Sequence, residues 1–452
     1  MSPLVIRDAE VRERPGLDVR IEDGRIAEIG PRLDNRGAPV VEAGGGALVP
    51  GLHDHHLHVL AFAAWERSVQ CGPPDVRSRA ELVAALRRAP GEGWVRAVGW
   101  DDTSTGWLDA DALDAAVAHR PVRIQHRSGH LWVVNRRAAA ELRLDEAPAD
   151  GVERDVTGRP TGRLYELDGW LRTRLPANQR PDVGKVSERL ASWGVTGVTD
   201  ATVTNDASSR AALADLGQRL TLMGGDDLPE GPRKVMVNER SLPSPDELAH
   251  TIRAAHDRGR TVAVHATSRE ALVLSLTALE EAGTVGGDRV EHATVAPPEL
   301  IAWMVRLGLQ VVTQPGFVSA HGDRHLATVD HDDRRWLHRG RGFLDAEIPL
   351  GAGSDAPFGP ADPWIGMRAA VERRTDDGRL LNGGEAISPE QALALFTGPA
   401  ARPGGPPRRI AVGEPADLCL LRLPWASARC ELSSDLVAAT VIDGRLVWGG
   451  PA

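Results

Sequence analysis

Several things are scarce in this chain, and each scarcity narrows what it can be. Its 452 residues hold three cysteines, Cys71, Cys419 and Cys430, with no Cys-x-x-Cys pair. Neither a disulfide scaffold nor a thiolate metal ribbon can therefore organise it. No window of about 18 uninterrupted apolar residues occurs, the length a membrane span requires. The start, Met1-Ser-Pro-Leu-Val-Ile-Arg-Asp8, lacks the basic-then-apolar order of a secretory leader, so a cytoplasmic location is the expectation. There is no long basic block and the formal net charge is −10, which argues against nucleic acid or a membrane surface as partner. A small-molecule substrate is expected instead, with homo-oligomerisation left open. No glycine-rich nucleotide fingerprint opens a helix, and no low-complexity tract or short-period repeat is present. The rarest residue for its chemistry is lysine: of 53 lysines and arginines only Lys185 and Lys234 are lysine. Where a chain writes arginine almost everywhere, a retained lysine marks a place that needs a primary amine.

What is present centres on Leu48-Val-Pro-Gly-Leu-His-Asp-His-His-Leu-His58. An apolar run meets Pro50-Gly51, and four histidines follow within six positions. In an extended chain alternate side chains share a face, so His56 and His58 point the same way and form half of a metal site. His53 and His55 fall out of phase with that pair.

Both ends of the chain read as short strands and hairpin turns. Asp18 to Ile29 turns at Asp23-Gly24, and Ala439 to Trp448 turns at Asp443-Gly444. Between them, apolar strand-like runs alternate with helical stretches, the pattern of parallel βα units. After the run ending at His58 come Gly194–Asp200, Leu220–Met223, Lys234–Val237, Thr261–His265, Arg289–His292, Gln310–Thr313 and Pro349–Asp355. Count and order predict an α/β fold, a (β/α)8 TIM-type barrel, with an insertion after strand 1 at about 60–185. A doubly wound open sheet is the alternative. The insertion carries Trp94, Trp100, Trp107 and Trp132, which suit either an apolar wall over the barrel mouth or a core of its own. Residues 1–46 and 401–452 are assigned to a small β-sandwich domain, and 47–400 to the barrel.

Barrels of this type carry their chemistry at the C-terminal strand ends. His56, His58, Asp200, Lys234, His265, His292 and Asp355 all fall there or nearby, though spread over the whole chain. Each has a structural reading alone; together they point to a metal centre.

The motif Pro50-Gly-Leu-His-Asp-His-His-Leu-His58 resembles the first-strand signature of the amidohydrolase superfamily. Val264-His-Ala266, Arg289-Val-Glu-His-Ala293, Gln314-Pro315 and Gly353-Ser-Asp-Ala-Pro357 are similar to its later strand motifs. Ser128-Gly-His130 with Asn135, and Ser388 to Ala400, look more narrowly like the branch that includes N-substituted formamide deformylase, amidohydrolase family 3. This resemblance implies that His56, His58 and Asp355 hold one divalent ion and that His265 and His292 hold a second. A carbamylated Lys234 would bridge them. Zinc is the expected metal, with manganese or iron as alternatives. It also implies Asp355 and His130 as catalytic residues, and Arg127, His130 and Gln314 as substrate-binding ones. The histidines His321, His325, His331 and His338 are expected at the surface.

The implied activity is metal-dependent hydrolysis of a non-peptide amide-type C–N bond, in an N-acyl compound, a formamide or a related small molecule. A deaminase or cyclic-amide hydrolase is the rival within the superfamily, and a metal-free binding scaffold the rival outside it. Two departures bear on substrate: the chain runs quickly from Val235 into a helix at Pro245, and His265 is followed by Ala-Thr-Ser-Arg. Deaminase-like relatives carry glutamate where Ser268 stands.

Overall fold

A computed structural model describes residues 3–73, 75–175, 181–237 and 242–450. The chain divides into two compact units, one of Met1–Leu60 with Val183–Ala452 and the other of Ala61–Asp182. Among the described residues no helix is long and apolar enough to cross a membrane.

The larger unit contains eight parallel strands in chain order: β1 (Leu52–Leu57), β2 (Val195–Asp200), β3 (Arg219–Leu222), β4 (Arg233–Met236), β5 (Val262–Ala266), β6 (Arg289–His292), β7 (Gln310–Thr313) and β8 (Leu350–Ala352). Strands β1 to β3 pair in one parallel group and β4 to β8 in another. Backbone bonds join the groups at both seams. Lys234 N donates to Gly224 O (2.9 Å), Asp355 N to His56 O (2.7 Å) and His58 N to Ala356 O (2.9 Å). The result is an α/β fold of the TIM-barrel type. Most of these strands are buried along their whole length, which is why they read as apolar runs rather than alternating ones.

The helices between them are set by local chemistry. Pro245–His256 starts with a capping box, Ser244 with Glu247, and buries Leu248, Ala249, Ile252 and Ala255 at helical spacing. Arg269–Ala282 is capped by Ser268, whose side chain accepts from Ala271 N. The loop expected to be short after β4 includes 238–241, which lies outside the described residues.

The two termini hydrogen-bond into one mixed eight-stranded sheet. The reason is Ala47–Pro50, which pairs in parallel with the N-terminal strand and antiparallel with Leu418–Leu421. The stretch leading to the histidines is thus two strands. Ala47–Pro50 belongs to the terminal sheet, and after Gly51 the chain crosses into the barrel as β1.

The smaller unit is a six-stranded sheet flanked by helices. Trp100 (0% exposed) lies in the apolar cluster on one face of that sheet and Trp132 (3%) in the cluster on the other. Trp94 is partly buried against the second cluster, and Trp107 is 56% exposed. The insertion therefore has a core of its own.

Candidate metal centre

Strand β1 reaches the site through a register shift. Val198 faces Asp54, but Asp200 faces Leu57, so one extra residue is accommodated on β1. Such a bulge re-aims side chains, and the four histidines separate into two pairs. His53 and His55 lie together, with ring centroids 4.6 Å apart, and His53 Nε2 meets Thr199 Oγ1 at 2.9 Å. Burial pushes His55 down to about 3. His56 and His58 form the other pair.

Asp54 ties β1 to the segment after β8, its Oδ1 accepting from His56 N and Ser354 N at 3.0 Å each. The approach is close: a Cβ on Gly353 would lie 2.5 Å from His56 N. Only glycine fits there. Asp355 follows with φ 54°, and His292 ends β6 with φ 71°. Left-handed backbone at two candidate ligands is the kind of strain that accumulates at functional sites.

These constraints gather His56, His58 and Asp355 so that one ligand atom from each lies within 4.8 Å of the others. His58 Nε2 is 3.1 Å and His56 Nε2 3.4 Å from Asp355 Oδ1. Beside them, the His292 ring is 4.8 Å from that of His56 and 4.4 Å from that of His265. Lys234 is buried (3% exposed) with Nζ 3.4 Å from His56 Nε2.

Each of three imidazoles is held through its Nδ1. His56 Nδ1 donates to the Glu291 carboxylate. His58 Nδ1 meets Thr202 Oγ1 at 3.0 Å, and His292 Nδ1 donates to Gln314 Oε1 at 2.7 Å. The bonds of His56 and His292 to acceptors put the proton on Nδ1 and leave Nε2 with its lone pair, the form a metal ligand requires, while the Thr202 hydroxyl, which can donate or accept, orients the His58 ring.

The electrostatics agree. Burial, helped by the Lys234 charge, pushes His56 below the ordinary histidine value. Burial takes His292 to about 3 and holds His265 well below normal. Burial opposes ionisation of Asp355, but the surrounding His56, His58 and His292 rings outweigh it and keep the carboxyl low. Burial also lowers Lys234, which favours its neutral amine. Neutral imidazoles, an ionised carboxylate and a softened amine suit a divalent cation.

The other residues singled out from sequence are placed differently. Gln314 is 1% exposed and spends its amide oxygen on His292, the arrangement of an orienting residue. His130 and Arg127 belong to the smaller unit. There the His130 side chain is 58% exposed with Glu166 at 3.8 Å, and Arg127 pairs with Asp101 at 2.9 Å. His338, expected at the surface, is buried (3% exposed) with Nε2 3.0 Å from His325 Nδ1. Sequence reasoning passed over Glu291 and Thr202. Glu291 had a signal: Arg289 and Glu291 are charged residues two apart in a buried strand, and such charges persist only when paired.

Over residues 39–448 the sequence matches the amidohydrolase family. The chain belongs to that family. This amidohydrolase is 27% identical to N-substituted formamide deformylase of Arthrobacter pascens, across 98% of its own length and 96% of the relative's. Its fold is shared with an uncharacterized metal-dependent hydrolase from Pyrococcus horikoshii OT3, at a TM-score of 0.73, 20% identity and coverage of 93% and 97% of the two chains. A second such hydrolase, from Pyrococcus furiosus, superposes with a TM-score of 0.69 at 22% identity, covering 93% of this chain and 99% of that one.

Proposed function

We propose that this amidohydrolase cleaves an amide-type C–N bond in a small, non-peptide molecule, with N-acyl amines and N-substituted formamides as the first class to test. The observation that carries the reading is the group His56, His58 and Asp355, with both histidines anchored through Nδ1. A divalent ion held there would lower the pKa of water and polarise a substrate carbonyl. Asp355, held as a carboxylate, would take the proton from the attacking water and return it to the leaving nitrogen. Glu291 and Gln314 keep His56 and His292 in the tautomer that this requires, and Thr202 orients His58.

The finer reading adds a second ion on His265 and His292, with zinc as the metal. Lys234, buried and lowered, would react with carbon dioxide as its neutral amine and become an anionic bridging ligand. It also takes the eight strands as a complete (β/α)8 barrel interrupted after β1. His130 and Arg127 of the smaller unit are retained as substrate-side residues. The deaminase reading loses ground because Ser268 is a helix cap rather than a proton shuttle.

The deciding experiment is metal analysis of purified protein, followed by turnover on a panel of N-substituted formamides, N-acyl amines, cyclic amides and amino-heterocycles with zinc or manganese added. Amide or formamide cleavage abolished by chelation is the expected result. Turnover confined to amino-heterocycles would replace the proposal with deamination, and a protein that binds no metal would make it a scaffold.

A further inference from the structure

The smaller unit contains a charge arrangement that its own residues do not balance. Arg96 and Arg123 are register partners on adjacent parallel strands, Val95–Trp100 and Val122–His126. Their side chains therefore leave the same face of the sheet side by side. Like charges so placed repel, and more strongly away from water. Both guanidiniums lie against the indole of Trp132, at 5.4 Å and 5.1 Å from its centroid. Arg96 is tied down, with Nη1 donating to Ala64 O at 2.8 Å and also to Ser68 Oγ. Arg123 is not. It is only 9% exposed, and its Nε is buried with no hydrogen-bond partner among the described residues. Asp168 is the acid that bears on both, yet its Oδ1 accepts from Trp132 Nε1 at 2.9 Å and its side chain is on the exposed side. Two cations thus face one solvated carboxylate. Burial pushes Arg123 down to about 9 and Arg96 to about 10.

A buried guanidinium nitrogen without an acceptor is costly, and such a donor beside a second guanidinium is suited to an oxyanion. We propose that Arg96 and Arg123, braced by Trp132, form a binding site for a small oxyanion of the carboxylate or phosphate type within the smaller unit. The two guanidiniums share the ligand's oxygens, which removes their mutual repulsion and gives Arg123 the acceptor it lacks. The indole sets both planes and keeps water from one side.

The test uses the full-length, metal-loaded protein and reads thermal melting during titration with acetate or inorganic phosphate, at constant ionic strength held with chloride. Either anion could also reach the metal centre, so the comparison is with Arg123→Met, which keeps side-chain volume and leaves the metal ligands untouched. A saturable rise in melting temperature is expected in the parent, with the anion about tenfold or more weaker in Arg123→Met. Response to acetate alone identifies a carboxylate site, and response to phosphate alone a phosphate site. If Arg123→Met does not fold, Arg123→Lys serves in its place, since it keeps the charge without the fork and should also weaken the response. No saturable response in the parent, or an equal response in the variant, overturns the proposal. Because no turnover is measured, the result stands apart from the reading of the metal centre.

Discussion

Replacing Glu291 by glutamine should set two buried groups against each other. The carboxylate is 0% exposed. Its Oε1 accepts from Arg289 Nε at 2.5 Å while Oε2 accepts from His56 Nδ1. An amide has one acceptor oxygen, so one of these donors must face an NH2 group. If it is Arg289, itself 2% exposed, a buried cation that has already lost its anion also loses its acceptor and faces an NH2 dipole, the costlier of the two arrangements. If it is His56, the ring must shift its proton to Nε2, which is cheaper but removes the lone pair that binds metal. The metal-free variant therefore settles in the second arrangement, and binding has to reverse it. Loss of an orienting partner weakens metal affinity by about 10–100-fold, or roughly 1.4–2.7 kcal/mol. Competition with a chromogenic chelator measures this for zinc. The double variant Arg289→Met/Glu291→Gln removes the competing cation, frees the amide oxygen for His56 and should bind zinc more tightly than the single variant. Affinity within twofold of the parent in Glu291→Gln, or a double variant no better than the single, would refute the reasoning.

Four further outcomes are expected. Lys234→Arg should lower metal stoichiometry because a guanidinium stays cationic beside His56, whereas Lys185→Arg should be nearly silent, within ~0.5 kcal/mol; equal metal content in both would remove Lys234 from the centre. Gly353→Ala places a Cβ against the His56 backbone and should cost about 1–3 kcal/mol in urea unfolding, with weaker metal binding; a silent alanine would show that the β1–β8 approach is slack. Cys430 is exposed while burial raises the Cys71 and Cys419 thiols to about 12, so a thiol reagent should label one cysteine rapidly and the others only on unfolding. His338 is held well below the ordinary histidine value, chiefly by burial and then by His325. Because the unfolded chain takes up that proton first, the urea midpoint should fall as pH drops below about 6.5. The fall should be shallower in His338→Gln, and identical slopes would contradict the assignment.

The strands and the group His56, His58 and Asp355 were legible because both are written in residue type. Buried parallel strands are apolar throughout, and a histidine or aspartate at the end of such a run stands out. What was not legible depends on backbone geometry. Alternation alone separates His56 and His58 from His53 and His55, but the extra residue between Asp54 and Leu57 leaves no mark in composition. Gln314 and Glu291 look like any polar residues near a strand end until the partner ring is seen. The edge of the terminal sheet was hidden because Ala47–Pro50 runs straight on into β1 in sequence, although its hydrogen bonds go to strands at the two ends of the chain. His338 sat among polar neighbours in sequence, and only the fold buries it.

That shared passage from the terminal sheet into β1 also governs when the centre can exist during synthesis. His58 leaves the ribosome 297 residues ahead of Asp355, and at roughly 5–20 residues per second it waits about 15–60 s for that ligand. The strand before it, Ala47–Pro50, waits longer still, since its antiparallel neighbour is Leu418–Leu421. For most of translation the two histidines are therefore an incomplete chelate on an unsecured strand. Thr202 and Lys234 reach the histidines midway through synthesis, but Glu291 and Asp355 follow well after, so metal loading is expected to come after the barrel closes rather than to nucleate it.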